Sequence, residues 1–155
     1  MKQVSLKALA VVLFCLPICA NQSVKAAESD QKLLEAVGGL SAAYVYQTYL
    51  NIGMIGDGVA NKTMEAASGK QILGSVVNLV EVIDKQLGAL QDGDKLSDDD
   101  KRGIAEFRSI ISLLRIEGKE LQAMMDTGDK SHAAKFDEAR KAAWEKIKAL
   151  MGLKD

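Results

Sequence analysis

Residues 71–90, QILGSVVNLVEVIDKQLGAL, carry the most regular apolar pattern in the chain. Their apolar residues are separated alternately by three and four positions, at Leu73, Val76, Val80, Ile83, Leu87 and Leu90. This is the heptad spacing of a helix that packs along one stripe against neighbouring helices. The stretch therefore predicts a helix, the second in the chain, that starts between Asn61 and Ser68 and ends at Gly93.

A similar pattern occupies the rest of the chain on the carboxyl-terminal side. A third helix is expected to open at Ser97, because the three aspartates that follow it favour the positive end of a helix dipole. Gly128 closes this helix, and its expected seam is Ile104, Phe107, Ile111, Leu114, Gly118, Leu121 and Met125. A fourth helix, capped by Asp129 or Ser131, is expected to end at Gly152 after burying Phe136, Ala143, Ile147 and Leu150.

On the amino-terminal side, a first helix is expected from near Ser29 towards Ile55. Its apolar stripe is Leu33, Val37, Leu40, Tyr44 and Thr48. The glycines between Gly53 and Gly58 predict the first turn. Short linkers make consecutive helices antiparallel neighbours. The sequence therefore predicts an all-α fold, an up-down-up-down antiparallel four-helix bundle over residues 29–155, after an N-terminal signal peptide.

Residues 1–20 have the features of a secretory signal peptide. Lys2 and Lys7 precede an apolar run, residues 8–16, which is followed by Pro17 and by a small residue at Ala20. Cleavage is expected after residue 20 or as late as residue 26, and the polar residues 21–28 are expected to form a flexible lead-in. The apolar run is shorter than the ~20 residues that span a bilayer. We therefore expect an exported protein, periplasmic or extracellular, with no stable membrane span.

Charge and cysteine content exclude several classes of function. The chain has 20 basic and 21 acidic residues, and removal of residues 1–20 takes away two lysines and leaves a net charge of −3. Nucleic-acid binding is not expected, because it requires clustered basic residues. Both cysteines, Cys15 and Cys19, lie in the signal segment, so the exported chain has no disulfide or thiolate metal site. Lipidation of Cys19 is disfavoured, because the residue before a lipidated cysteine is normally small and here it is Ile18.

Five residues predict a pocket between the first, third and fourth helices. A small-ligand site needs aromatic walls with a few polar groups, and Gly118 leaves space beside such groups. The candidate ligand-binding residues are Tyr44, Asn51, Glu117, Arg140 and Trp144. The alternative is ordinary packing, in which tyrosine hydroxyls and arginines reach solvent at the edge of the core.

A second candidate site lies where two loops are expected to meet at one end of the bundle. Thioether and imidazole ligands suit copper(I), and a Met/His pair can bind haem. The residues are Met54, Met64, Met124, Met125 and His132. The alternative is that the methionines fill irregular gaps in the core and His132 is solvated. The chain lacks a Met-x-x-Met or His-x-x-His motif.

The acidic loop at residues 92–100 contains five aspartates, at Asp92, Asp94, Asp98, Asp99 and Asp100. Oxygen ligands at this density can bind calcium, but Leu96 and Ser109 occupy positions where an EF-hand needs ligands. The alternative is a polar loop whose last three carboxylates favour the helix start.

No catalytic motif is present. His132 is the only histidine, the exported chain has no cysteine, and no Gly-x-Ser-x-Gly motif occurs. We therefore expect a non-enzymatic protein without a cofactor that acts by protein interaction or by small-ligand binding, its partner or ligand unknown. The alternative function is a copper or haem carrier that uses the Met/His cluster.

Overall fold

The structure, a computed structural model, describes residues 6–94 and 96–153, with side chains from residue 32 onward except residue 34. Within these ranges the chain forms four α-helices and no strand, which confirms the all-α class. The helices are α1 (Leu6–Ala60), α2 (Ala66–Gln91), α3 (Asp98–Thr127) and α4 (Lys130–Met151). The chain divides into two compact units, Met1–Leu40 and Ser41–Asp155.

The predicted signal segment lies partly outside the described residues, since residues 1–5 and the side chains of residues 6–31 are not described. The described backbone is helical through residues 21–28, for which the sequence predicted a flexible lead-in. Pro17 is the only proline, so no later residue of α1 lacks a backbone donor. No helix in the described ranges is both long enough and apolar enough to cross a bilayer.

The first turn lies later than predicted. Residues 53–58 are helical, and α1 continues to residue 60. Their glycines serve close packing instead of chain reversal, because a Cβ on Gly53 would overlap the guanidinium of Arg140. The reversal occurs at residues 61–65, where Lys62 has a φ of 58°. There the backbone N–H groups of Thr63 and Met64 donate to the carbonyl oxygen of Gly58, at 2.8 and 3.0 Å.

The buried stripe of α2 differs from the predicted heptad seam. Its buried residues are Gly69, Leu73, Val77 and Val80. The predicted seam residues Val76, Ile83 and Leu87 are half-buried, and Leu90 is exposed. The close contact between Val77 and Gly118 of α3 explains the rotation, because a Cβ on Gly118 would lie 2.7 Å from Val77 Cγ2. The helix begins at Ala66, between Asn61 and Ser68 as predicted, and its N-cap residue Glu65 makes no side-chain capping bond.

The ends of α3 and α4 confirm the predicted caps. The side chain of Ser97 accepts a hydrogen bond from the backbone N–H three residues on, at 3.1 Å. Asp129 accepts one from the backbone N–H two residues on, at 2.8 Å. Gly128 and Gly152 end the two helices with φ values of 69° and 64°, in the left-handed region that favours glycine.

All four helices contribute to one hydrophobic core in the unit Ser41–Asp155. The core residues are Val45, Ile52 and Ile55 of α1, Leu73 and Val80 of α2, Phe107, Ile110, Ile111, Leu114 and Leu121 of α3, and Ala143 and Ile147 of α4. Tyr44, Met125 and Phe136 are only partly buried, and Leu150 is exposed. The predicted stripe of α1 is wrong before Tyr44, because burial on this helix begins at Val45 and the three earlier residues belong to the other unit.

The observed register of α2 predicts which leucines maintain stability. Leu73 is fully buried and Leu79 is 52% exposed. We expect Leu73→Ala to lower the free energy of unfolding by ~2–5 kcal/mol through lost burial and a cavity. Leu79→Ala is the matched control and should change it by less than ~0.5 kcal/mol. Urea unfolding followed by circular dichroism measures both, and equal losses would contradict the observed register.

Candidate functional site

A buried ion pair joins α3 to α4. Glu117 lies on the core face of α3 and has no exposed surface, and Arg140 projects towards it from α4. Arg140 Nη1 lies 2.6 Å from Glu117 Oε1. The same nitrogen donates to the backbone carbonyl oxygen of Tyr49 on α1, at 3.2 Å. One guanidinium therefore bonds to two other helices, and the three helices meet at this point.

Aromatic rings surround the guanidinium. The carbon at its centre lies 4.0 Å from the ring centre of Tyr49 and 6.0 Å from that of Phe136, distances at which a cation is attracted to the ring face. Tyr49 stacks on Trp144, with ring centres 5.5 Å apart and an angle of 21° between the planes. The ring of Tyr46 also lies near Trp144, with ring centres 6.4 Å apart. We call Glu117, Arg140, Tyr49 and Trp144 the Arg140 junction.

Burial changes the pKa of Glu117, the acidic residue of the Arg140 junction. Among the described residues, Glu117 Oε2 has no hydrogen-bond partner although it is buried. Burial raises the pKa of Glu117 to about 7, because the ionised form loses its hydration, while Arg140 opposes this increase. Burial also raises the pKa of the Tyr49 hydroxyl. Glu117 is therefore a group whose protonation changes near neutral pH.

The five residues predicted to form one pocket are divided between different surroundings. Glu117 and Arg140 bond to each other, and Trp144 joins them through the ring of Tyr49. Asn51 bonds instead to its neighbour Gln47, whose Nε2 donates to Asn51 Oδ1 at 2.9 Å. Tyr44 is partly buried, and its hydroxyl has no hydrogen-bond partner among the described residues.

The expected space beside Gly118 does not exist, because Val77 fills it. The centre of the predicted site is therefore a packed junction. Sequence reasoning missed Tyr49 as a member of this junction and Gly53 as the residue that leaves room for the guanidinium. Tyr49 and Gly53 are four positions apart, which places an aromatic ring and a gap wide enough for a guanidinium on one face of α1. This spacing is the sequence signal that could have identified them.

Two open cavities lie at the surface of the larger unit. One, of about 220 Å³, lies between α3 and α4 and is lined by Glu106, Ser109, Ile110, Lys146, Ala149 and Leu150. The other, of about 330 Å³, lies between α1 and α2 and is lined by Asn51, Met54, Ile55, Met64, Ile72 and Val76. We call the second cavity the α1–α2 groove. Its lining contains no charged residue.

Apolar side chains continue from the groove along α2. Ile72 and Val76 belong to the groove, and Leu79 and Ile83 follow at helical spacings of three and four. We call these four residues the α2 row. Ile72 is 43% exposed and Leu79 is 52% exposed, whereas Val76 and Ile83 between and beyond them are half-buried against the core. Met54, which is 68% exposed, adds a flexible apolar side chain at the groove.

The predicted Met/His residues have separate surroundings. Met54 and Met64 share the α1–α2 groove, whereas Met124 and Met125 pack against the hydrophobic core. The imidazole Nδ1 of His132 lies 2.7 Å from Glu120 Oε2, so an acid already engages one of its two nitrogens.

Four of the five aspartates of the acidic loop lie at helix ends, one at the end of α2 and three in the first turn of α3. Asp92 is the C-cap of α2, and Asp100 accepts a hydrogen bond from the hydroxyl of Ser97 at 2.5 Å. Asp99 pairs with Arg102. In the described part of the chain, no three His, Cys, Asp or Glu side chains group as metal ligands would.

Compared with known proteins, the chain matches no family model, no curated protein and no solved structure. The geometry is therefore the basis for a proposal about function.

The raised pKa of Glu117 predicts a pH dependence of stability. The native state holds this proton up to about pH 7, whereas the ordinary pKa of the group is 4.5. The unfolded state therefore loses its proton first, and the contribution of Glu117 to stability falls as the pH rises from about 4.5 to 7. The fall is on the order of 3 kcal/mol at most.

Glu117→Gln should remove this dependence, and Glu106→Gln, at an exposed position, is the control. Urea unfolding at a series of pH values between 4.5 and 8 measures the difference between each variant and the wild type. A difference that stays constant across this range for Glu117→Gln would contradict the prediction.

Proposed function

We propose that this chain is an exported, non-enzymatic four-helix bundle that binds an amphipathic helix of a partner protein in the α1–α2 groove. The observation that carries the proposal is the uncharged groove continued by the α2 row, with side chains 43–68% exposed at Ile72, Leu79 and Met54. Contiguous exposed apolar surface of this kind is typical of binding sites on soluble proteins.

The shape of the groove favours a helix over a small molecule. Small-ligand sites enclose most of the ligand, whereas this groove is open and continues along a helix. A helix that docks in a groove inserts apolar residues at spacings of three and four, which is the spacing of the α2 row. Met54 and Met64 add side chains that adapt to different shapes. The absence of charge in the lining favours an apolar face on the partner.

The up-down-up-down topology is part of this proposal. Three ion pairs between α2 and α3 support it, because residues later in α2 pair with residues earlier in α3. They are Lys70 with Asp126, Glu81 with Lys119, and Asp84 with Arg108. Between α3 and α4, His132 pairs with Glu120 and Arg140 with Glu117, again in reverse order. Reverse order is what antiparallel neighbours produce.

Export is supported by the sequence of residues 1–20, where two lysines precede an apolar run and a small residue follows it. We expect the protein secreted from an expressing cell to start at Asn21 or near Ala27. N-terminal sequencing of the exported protein tests this. A product that retains Lys2 and Lys7 would contradict the proposal of a cleaved signal peptide.

The groove is tested with a synthetic amphipathic helical peptide that carries leucines at spacings of three and four and a fluorescent label. Anisotropy titration should show saturable binding to the wild-type protein. Leu79→Glu should weaken binding about tenfold or more, because a carboxylate would be buried without a partner.

Asn78→Glu is the matched control, since it adds the same charge at an exposed neighbouring position outside the row. It should leave the affinity unchanged. A peptide of the same composition with scrambled order should not bind. Equal binding by wild type and Leu79→Glu would contradict the assignment of the groove as the binding site.

A further inference from the structure

The methionines of the chain differ in their exposure to solvent. Met54, in the lining of the α1–α2 groove, is 68% exposed, and Met151, the last residue of α4, is 39% exposed. Met64, Met124 and Met125 are half-buried and pack against the hydrophobic core. Among the methionines whose side chains are described, Met54 is therefore the most accessible to a reagent in solution.

Met64, the other methionine of the groove, is packed between two helices. Its Sδ lies 3.5 Å from the position that a Cβ would take on Gly69 of α2, and its terminal methyl lies 3.7 Å from that position on Gly58 of α1. Gly69 is itself buried. An oxygen atom added to the sulfur of Met64 would have to fit within this packing, whereas the side chain of Met54 lies mostly in solvent.

Thioethers are the only sulfur groups expected in the exported chain. The two cysteines, Cys15 and Cys19, lie in the segment that export is proposed to remove. Thiolates react with hydroperoxides, so a chain without cysteine leaves methionine as its oxidisable sulfur. The compartments that exported proteins enter are oxidising. Oxidation of an exposed methionine is therefore the sulfur chemistry that this chain offers.

We propose that Met54 is a modification site, at which a hydroperoxide converts the thioether to the sulfoxide and so releases the partner helix from the α1–α2 groove. This inference rests on the proposed function and adds its regulation. In the reaction with hydrogen peroxide, a sulfur lone pair forms a bond to one peroxide oxygen as the O–O bond breaks. The sulfur loses two electrons, the proton of the transferred oxygen passes to the leaving hydroxide, and water is the other product.

The sulfoxide makes the groove polar at a position where the partner lies. A thioether is a flexible apolar group, whereas a sulfoxide is a polar group with an oxygen that accepts hydrogen bonds. An apolar helix face displaces water from this oxygen and brings no donor to it. A polar group covered without a partner disfavours binding, so the affinity for the helix falls. Methionine sulfoxide reductases reverse the modification, which makes the release reversible.

Limited oxidation tests the site. The exported protein is treated with dilute hydrogen peroxide, the reagent is removed with catalase, and peptide mass spectrometry locates the added oxygen at successive times. We expect Met54 to react first and Met151 second, because their order of exposure is the same. Met64, Met124 and Met125 should react more slowly than both. Reaction of any of these three as fast as Met54 would overturn the assignment of the site.

Anisotropy titration with the synthetic helical peptide, made without methionine, tests the effect on binding. The oxidised wild type should bind about tenfold more weakly than the same protein before oxidation. Met54→Leu has no sulfur at this position, so peroxide should not change the affinity from that variant's own starting value. Met151→Leu is the matched control and should lose affinity on oxidation as the wild type does. Treatment with methionine sulfoxide reductases and a dithiol should restore the affinity of the wild type.

The outcomes separate this inference from the proposed function. If the wild type binds the peptide equally well before and after oxidation of Met54, the proposed function stands and its regulation by oxidation is wrong. If the protein binds no peptide before oxidation, both proposals fail. A loss of affinity that persists in oxidised Met54→Leu would assign the effect to another methionine. A loss that accompanies a decrease in the circular dichroism of the helices would assign it to unfolding, and either result would overturn the inference.

Discussion

The buried carboxylate of Glu117 is the constraint on which the arrangement of α1, α3 and α4 depends. An ionised group without exposed surface is costly unless a partner charge reaches it. Arg140 reaches it along a path that a side chain at Gly53 would block, and its guanidinium lies on the ring of Tyr49. The hydrogen bonds of one guanidinium, to Glu117 on α3 and to the carbonyl oxygen of Tyr49 on α1, therefore connect three helices. Hydrophobic packing alone tolerates rotations of a helix that this ion pair does not.

The second close contact, between Val77 and Gly118, has a similar effect on α2. It places Leu73 and Val80 in the core and turns the α2 row towards solvent. Because the apolar residues of α2 occupy more than one stripe, the helix can fill the core and still present an apolar surface. The α1–α2 groove and the core are thus two results of the same rotation.

Features that depend on local interactions were predicted from the sequence, whereas features that depend on tertiary contacts were not. The caps at Ser97, Gly128, Asp129 and Gly152 were predicted correctly, because each bond lies within a few residues of its helix end. The rotation of α2 was missed, since it depends on Gly118, which is distant in sequence.

The turn expected at residues 53–58 was wrong for a related reason. A sequence does not distinguish a glycine that allows close packing within a helix from a glycine that allows a turn. For the candidate site, helix position placed Glu117 and Arg140 near each other, but as members of one ligand pocket and not as a buried ion pair. The role of Tyr49, and the separation of Asn51 from the pair, depended on side-chain directions that spacing does not specify.

Trp144 is the only tryptophan in the chain, and its ring stacks on that of Tyr49, which also contacts the guanidinium of Arg140. The intrinsic fluorescence of the protein therefore originates at the contact between α1 and α4. Tyr46 and Tyr49 lie close enough to transfer excitation energy to the indole. A change in emission while the helical signal stays constant would identify separation of these two helices as an optical event distinct from unfolding. The molecule thus carries its own spectroscopic probe at the junction.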